Sequence, residues 1–399
     1  MEEFEGPDDV VRRLRPQIPV TCFRPASVDT AAKWFLKNFP GKVLYAVKAN
    51  PARYVLSGLY AAGLRNFDAA SIPEIQLVHE MAPGSHIAFM HPVKSRHAIE
   101  QSYFDYSVRD YSYDSVAELE KIIASTGKSK DLGLYLRLAV PNSSSEVPLA
   151  DKFGCQPDKA AEVLKLARKS AAKIGVCFHV GSQTMDPQAY ATALDLVGGI
   201  LRSIPRTKVD VIDVGGGFPS IYPDMAPPAM GDYIKAIENG FDRLPHPDRY
   251  EYWCEPGRAL CAESASVVVK VELRKDDVLY INDGTYGSLF DAGHLGFRYP
   301  VRLIRPTPGG TSAQQKGFRF YGPTCDSIDY MPGPFFLPED VREGDYIEIG
   351  QLGAYGNTMR TDFNGFSAHE TVAVKAPPLV TLYDEAAETT DSKDELCAA

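Results

Sequence analysis

Between residues 27 and 262, short apolar runs rich in β-formers alternate with amphipathic stretches, and few folds accommodate that repeat. Strands are expected at residues 43–47, 64–67, 86–90, 106–108, 134–138, 176–179, 209–214 and 251–254. Helices lie between several of them. Ser27 is placed to cap one that carries Ala31, Trp34 and Phe35 on a single face. Others span residues 158–170 and follow Asp186-Pro187, where an acceptor precedes a proline at the first helical position. Eight strands separated by helices predict an α/β chain whose parallel strands close into a (β/α)₈ barrel over residues 24–262.

After residue 262 the texture changes. Residues 267–273, 277–281, 318–321 and 345–349 read as strands without intervening helices, joined by turns such as Asn282-Asp283-Gly284. A second, mostly antiparallel β domain is therefore expected over residues 263–375, with residues 1–23 packing on it. From Leu382 onward six acidic residues face one lysine, so residues 376–399 are expected to form a disordered acidic tail. The net charge of −10 argues against nucleic acid or an anionic membrane surface as partner. No run of apolar residues is long enough to span a bilayer, and the acidic start is unlike a secretory signal. Seven scattered cysteines fit a reducing cytoplasm, and the absence of CxxC or HxxxH spacing speaks against a structural metal.

In such a barrel, chemistry gathers at the carboxyl ends of the strands. Those ends supply Lys48, Asp68, His91, Arg137, His179, Gly215 to Gly217, Glu255 and Arg258. A lysine closing an apolar strand is costly to bury unpaired; desolvated, it loses its proton more easily and can form an imine. The alternative is a lysine that snorkels to the surface. Gly215-Gly216-Gly217 lets a backbone approach an anion, or makes a tight turn and nothing more. It is not GxGxxG, which counts against a dinucleotide fold. Glu255 and Arg258 pair a carboxylate with a guanidinium, apt for a pyridinium nitrogen and a phosphate, or for a structural ion pair. His179 could stack on a flat ring or be a satisfied core histidine. Ser71-Ile72-Pro73-Glu74 has the pattern of a capping box, as good a reading of Glu74 as a catalytic one. In the second domain, Cys325 stands beside Asp326 and Asp329. Neighbouring carboxylates disfavour a thiolate, so this thiol suits proton donation.

Eight motifs occur in a fixed order: YAVKAN (45–50), FDAAS (67–71), FHVGSQ (178–183), DVGGGFP (213–219), EPGR (255–258), NDGTYGS (282–288), GPTCDSID (322–329) and GAYG (353–356). Together they resemble the alanine-racemase-fold, pyridoxal-phosphate-dependent basic amino acid decarboxylases, in particular the ornithine/lysine decarboxylase group. The resemblance covers roughly residues 20–375. It implies that Lys48 holds pyridoxal 5'-phosphate (PLP) covalently, that His179 stacks on its ring and that Glu255 pairs with its nitrogen. Gly215, Gly216, Gly217, Gly257, Arg258, Ser182 and Tyr355 would hold the phosphate side, while Asp68, Glu74 and Arg137 tune the surroundings of Lys48. Cys325 would be the proton donor, and Asp326, Asp291, Tyr286 and Asp329 would receive a basic substrate. The resemblance further implies a homodimer with Cys325 and Asp326 supplied across the subunit boundary. Ser327 stands where the family commonly has glycine, and the segment from Tyr286 to Asp291 is short, so lysine stays open beside ornithine. A diaminopimelate decarboxylase shares the fold, but the distal carboxylate of its substrate would meet repulsion from Asp326 and Asp329. A non-catalytic homologue would have shed Lys48, Glu255 or Cys325.

Overall fold

The computed structural model describes residues 1–140, 145–147, 152–307 and 309–383. Eight parallel strands close a barrel in chain order: Lys42–Ala46, Asn66–Ala69, His86–Phe89, Asp110–Tyr113, Gly133–Arg137, Lys173–Cys177, Val211–Asp213 and Glu251–Cys254. Closure comes where Trp253 and Cys254 pair with Lys42 and Val43. The fourth strand differs from expectation, running over Asp110–Tyr113, with residues 106–108 in the connection before it. Tyr111, Ser112 and Tyr113 are all buried, so the hydroxyls of this stretch hid a core strand behind polar residue types.

Leu44, Ala88, Met90, Tyr135, Cys177, Val211 and Trp253 fill the barrel interior, making a packed floor. Gly175 is required there, since a Cβ would stand 2.5 Å from the Tyr135 ring. The helix before the first barrel strand, Pro25–Asn38, turns Val28, Ala31, Ala32 and Phe35 onto the barrel. It begins at Pro25 after Arg24, three residues earlier than a Ser27 cap would place it. Fully burying each larger apolar side chain of this kind contributes roughly 1.5–3 kcal/mol.

Residues beyond the barrel form a nine-stranded sheet that also takes in the chain's start. Its middle strand, Ala265–Lys275, lies antiparallel to Val20–Phe23 on one side, with Phe23 opposite Ala265. Glu370–Val374 runs parallel to Val20–Phe23, and Glu3–Phe4 runs parallel to Glu370–Val374. Val278–Ile281 and Gln315–Tyr321 are also parallel, while the remaining pairs are antiparallel. Three strands lack a clear sequence signal: Val301–Ile304, Glu370–Val374 and Tyr330–Pro338. The last holds three prolines, which ordinarily disqualify a strand. At the joint with the barrel, Arg24 is buried and ion-paired to Glu348 at 2.7 Å, with Ser266 bonded to both. Removing Glu348 would leave buried Arg24 without its ion pair, at a cost of roughly 3–5 kcal/mol.

Residues 377–383, assigned above to the tail, instead lie on the barrel. Tyr383 is buried, donates to the Ala259 carbonyl at 2.7 Å and packs against Trp34. This stretch is Pro-Pro-Leu-Val-Thr-Leu-Tyr, apolar enough to dock, and the acidic run begins only at Asp384. Residues 384–399 lie outside the described residues. Among the described residues, no helix is long and apolar enough to cross a membrane.

Candidate active site

A cavity of about 440 Å³ opens at the carboxyl ends of the barrel strands. Lys48, Asp68, Arg137, His179, Ser182, Glu255, Arg258, Asp291 and Tyr355 all line it. Nine residues from the barrel and the second domain thus meet in one place. The first strand runs into a short 3-10 turn, Val47–Ala49, which aims Lys48 inward. That turn is tied to the second domain: Tyr355 N–H donates to the Ala49 carbonyl at 2.9 Å, and Asn50 Nδ2 to the Gly353 carbonyl at 2.7 Å.

Lys48 Nζ donates to Asp68 Oδ2 at 2.8 Å. Burial pulls its pKa down, but Asp68 and Glu255 together more than offset this and hold it above the ordinary lysine range. The free lysine is therefore an ammonium, contrary to the expectation that desolvation alone would release its proton. Asp68 is the acceptor placed to take that proton. His179 has the opposite setting. Burial, then the charges of Arg137 and Lys48, push its pKa well below the usual value, so the ring is neutral. Its Nδ1 accepts from the Gly181 N–H at 3.0 Å, which leaves the proton on Nε2.

At the far end, buried Arg258 donates to Tyr222 at 2.9 Å and approaches Asp291 at 3.3 Å and the Ser182 hydroxyl at 3.5 Å. Its guanidinium lies 4.9 Å from the Tyr355 ring centre. Asp291 thus lines the cavity beside this arginine. Burial raises its pKa, with Arg258 pulling the other way. Gly215 and Gly217 have positive φ, and a Cβ on Gly215 would stand 1.9 Å from the Phe178 carbonyl. A Cβ on Gly216 would stand 2.9 Å from His179 Nε2. Gly257 likewise lies against Ala46 and Ala49. Ser71 Oγ caps its helix by accepting from Glu74 N–H, while Glu74 Oε2 accepts from Ala70 N–H at 2.7 Å. Glu74 stands behind Asp68, and its carboxyl is raised by burial.

The remaining predicted residues form a second, separate group on the β domain. Tyr286 donates to Asp326 at 2.6 Å and packs on Phe363, with ring centres 4.6 Å apart. The Tyr286 hydroxyl holds the Asp326 carboxyl below its usual range. Cys325 is exposed, its N–H bonded to Asn364 Oδ1. Neither Cys325 nor Asp326 lines the cavity of its own chain. Asp329, expected to meet substrate, is instead buried and accepts four hydrogen bonds from the N–H and hydroxyl groups of Thr285 and Thr324. It is the internal knot of the loop, because a carboxylate so satisfied has no capacity left for a ligand.

Sequence reasoning missed Phe153, Leu295 and Met359, which line the cavity from loops. No local pattern marks them. Phe153 lies 5.3 Å from His91, ring centre to ring centre, and 5.5 Å below the Arg137 guanidinium.

A model of the pyridoxal binding domain of pyridoxal-dependent decarboxylases matches residues 26–262. The chain belongs to that family. Among the pyridoxal-dependent decarboxylases, the lysine/ornithine decarboxylase of Selenomonas ruminantium is 31% identical over 396 residues, covering 95% of both chains. The solved lysine/ornithine decarboxylase of Vibrio vulnificus, complexed with putrescine, superposes with a TM-score of 0.79 at 26% identity, over 93% of this chain and 99% of its own. The arginine decarboxylase of Paramecium bursaria Chlorella virus, bound to agmatine, gives a TM-score of 0.80 at 25% identity, over 92% and 99%. The cavity fits a pyridoxal group on its own terms. Glu255 and Arg258 both line it, a carboxylate to meet a ring nitrogen and a guanidinium, its Nε buried without a hydrogen-bond partner, to meet a phosphate.

Proposed function

We propose that this chain is a PLP-dependent decarboxylase of a basic L-amino acid, converting ornithine to putrescine and CO₂ and accepting lysine as well. One observation carries the reading. Lys48, held by Asp68, shares a single cavity with Glu255, and Arg258 with Ser182 closes one end of it. When bound, PLP supplies the electron sink that takes up the pair left by departing CO₂.

The chain's own residues do the rest. Arg258, Ser182, Tyr355, Gly257 and the Gly215–Gly217 turn hold the phosphate end. Asp68 accepts the proton that Lys48 must lose before it can act as a nucleophile. His179, being neutral, presents an uncharged ring face that adds no positive charge beside Lys48 and Arg137. Glu255 pairs with the ring nitrogen and keeps it protonated. Cys325 gives its proton to the substrate α-carbon, and Asp326, oriented by Tyr286, binds the distal ammonium.

Cys325 and Asp326 sit outside the cavity of their own chain, so each site takes them from a second copy. The functional unit is then a two-fold dimer with two shared sites. The free cysteines among the described residues accord with a reducing, cytoplasmic setting.

Product analysis with ornithine, lysine, arginine and diaminopimelate supplied separately tests the substrate class. Putrescine from ornithine at the highest kcat/KM is the expected result, and diaminopimelate as the best substrate would overturn the basic-substrate reading. Borohydride reduction followed by peptide mapping should place the cofactor on Lys48 and nowhere else.

A further inference from the structure

The strand Val211–Asp213 ends in a carboxylate that the proposed chemistry does not use. Asp213 is fully buried, and its Oδ1 accepts from the Gly215 N–H at 2.8 Å, which bends the chain into the glycine turn. Its other oxygen, Oδ2, is buried with no hydrogen-bond partner. The neighbouring strand places Glu255 beside it: Asp213 pairs with Trp253 in register, and Glu255 N–H donates to the Gly215 carbonyl at 2.8 Å. Glu255 Oε1 is likewise buried and without a partner.

Two adjacent carboxyls, each with an unsatisfied buried oxygen, cannot both be ionised at ordinary cost. A hydroxyl proton on one of them satisfies both. The nearby ammonium of Lys48 is bonded to Asp68 and gives no hydrogen bond to either unsatisfied oxygen. The electrostatics agree. Burial, then Asp213 and Asp68, raises Glu255 far above the carboxylate range. Burial pushes Asp213 up to about 7, its hydrogen bond from Gly215 and the charge of Lys48 working against Asp68.

We propose that Asp213 and Glu255 share one proton across the ends of these two strands, and that this proton is the one the ring nitrogen receives when PLP binds. It rests on the PLP reading above. The pair loses its O–H bond and the ring nitrogen gains an N–H bond. The summed charge of pair and ring is unchanged, so no proton need be drawn from solvent. Asp213 touches neither ring nor substrate and acts through Glu255 as a positioning residue.

Asp213→Asn tests this by replacing the second carboxylate with an amide that donates to Glu255 and lets it ionise. Calorimetric PLP binding to the apo full chain, in buffers of different ionisation enthalpy, counts the protons exchanged. The variant should take up about one proton more per site than wild type. Infrared difference spectra give a second readout. Wild-type apoprotein should show a protonated carboxyl stretch that vanishes on PLP binding and is missing from Asp213→Asn. The variant comparison separates it from Asp291, which lies at the phosphate end. Equal proton counts, or a band that persists in the variant, would overturn the proposal. Should the variant fail to fold, a wild-type carboxyl band unchanged by PLP overturns it equally. Failure of wild type to bind PLP would reject the functional reading itself. Binding at Lys48 with equal proton counts would reject only the shared proton.

Discussion

Lys48 and Cys325 occupy opposite kinds of surroundings. The lysine sits in a cavity at the barrel mouth where neighbouring groups set one another's charge: Asp68 holds its proton, and its ammonium helps keep His179 neutral. The cysteine stands on an exposed loop beside Asp326, whose carboxylate is steadied by one tyrosine hydroxyl. The charges of the first region are set by partners within one chain, because low dielectric makes every partner matter. The second is a set of reactive groups with nothing opposite them. In the dimer proposed above, the two regions would meet as complementary halves.

The sharpest way to break that pairing is to disable each half in a different chain. Lys48→Ala should lose more than the roughly 10²–10⁴-fold that a missing proton-transfer group costs, because the covalent hold on PLP goes with it. Cys325→Ala should fall within that range in diamine formation while still releasing CO₂, with product analysis showing aldehyde in place of some diamine. Mixed in equal amounts and allowed to exchange, the two inactive proteins should regain about a quarter of wild-type activity, since half the dimers are mixed and each has one intact site. No recovery, in a sample shown by mass spectrometry to contain mixed dimers, would confine the site to one chain.

Smaller effects sharpen the exposed half. Asp326→Ala should raise KM for ornithine and lysine about ten- to a hundredfold, the scale of a charge-assisted contact worth roughly 1.5–3 kcal/mol. Steady-state kinetics showing an unchanged KM would remove Asp326 from substrate binding. Tyr286→Phe should raise KM only about two- to tenfold at neutral pH, the worth of one ordinary hydrogen bond. Its pH profile is more telling. The Tyr286 hydroxyl lowers the pKa of Asp326, so the carboxylate survives to lower pH in wild type. Removing the hydroxyl raises that pKa, and the acid limb of 1/KM should move to higher pH.

The barrel and the inner half of the site were largely legible in the sequence, because strand ends in a parallel barrel point at one place. Knowing where strands stop was nearly enough to gather Lys48, Asp68, His179, Glu255 and Arg258. The outer half was less so. Asp329 lies in the motif GPTCDSID beside Cys325 and Asp326, yet it is claimed by two threonines. Sequence proximity reveals neither burial nor prior engagement. Asp213 is the first residue of DVGGGFP, and nothing in that motif marks one of its oxygens as buried and unpaired. Phe153, Leu295 and Met359 reach the cavity from loops, and loops carry no periodicity to extrapolate.

The position of Val20–Phe23 has a consequence for how the molecule is made. This strand leaves the synthetic machinery before any of the barrel, yet its antiparallel neighbour begins at Ala265 and its parallel one at Glu370. More than two hundred residues must emerge before either partner exists. Pairings so distant along the chain form slowly, because loop closure precedes any reward from contact. The barrel, whose strands each pair with the next in order, can condense first and bring residues 23 and 265 together. An apolar strand thus waits unpaired on the growing chain, and the interval in which it is open to wrong partners is set by the time needed to translate the barrel.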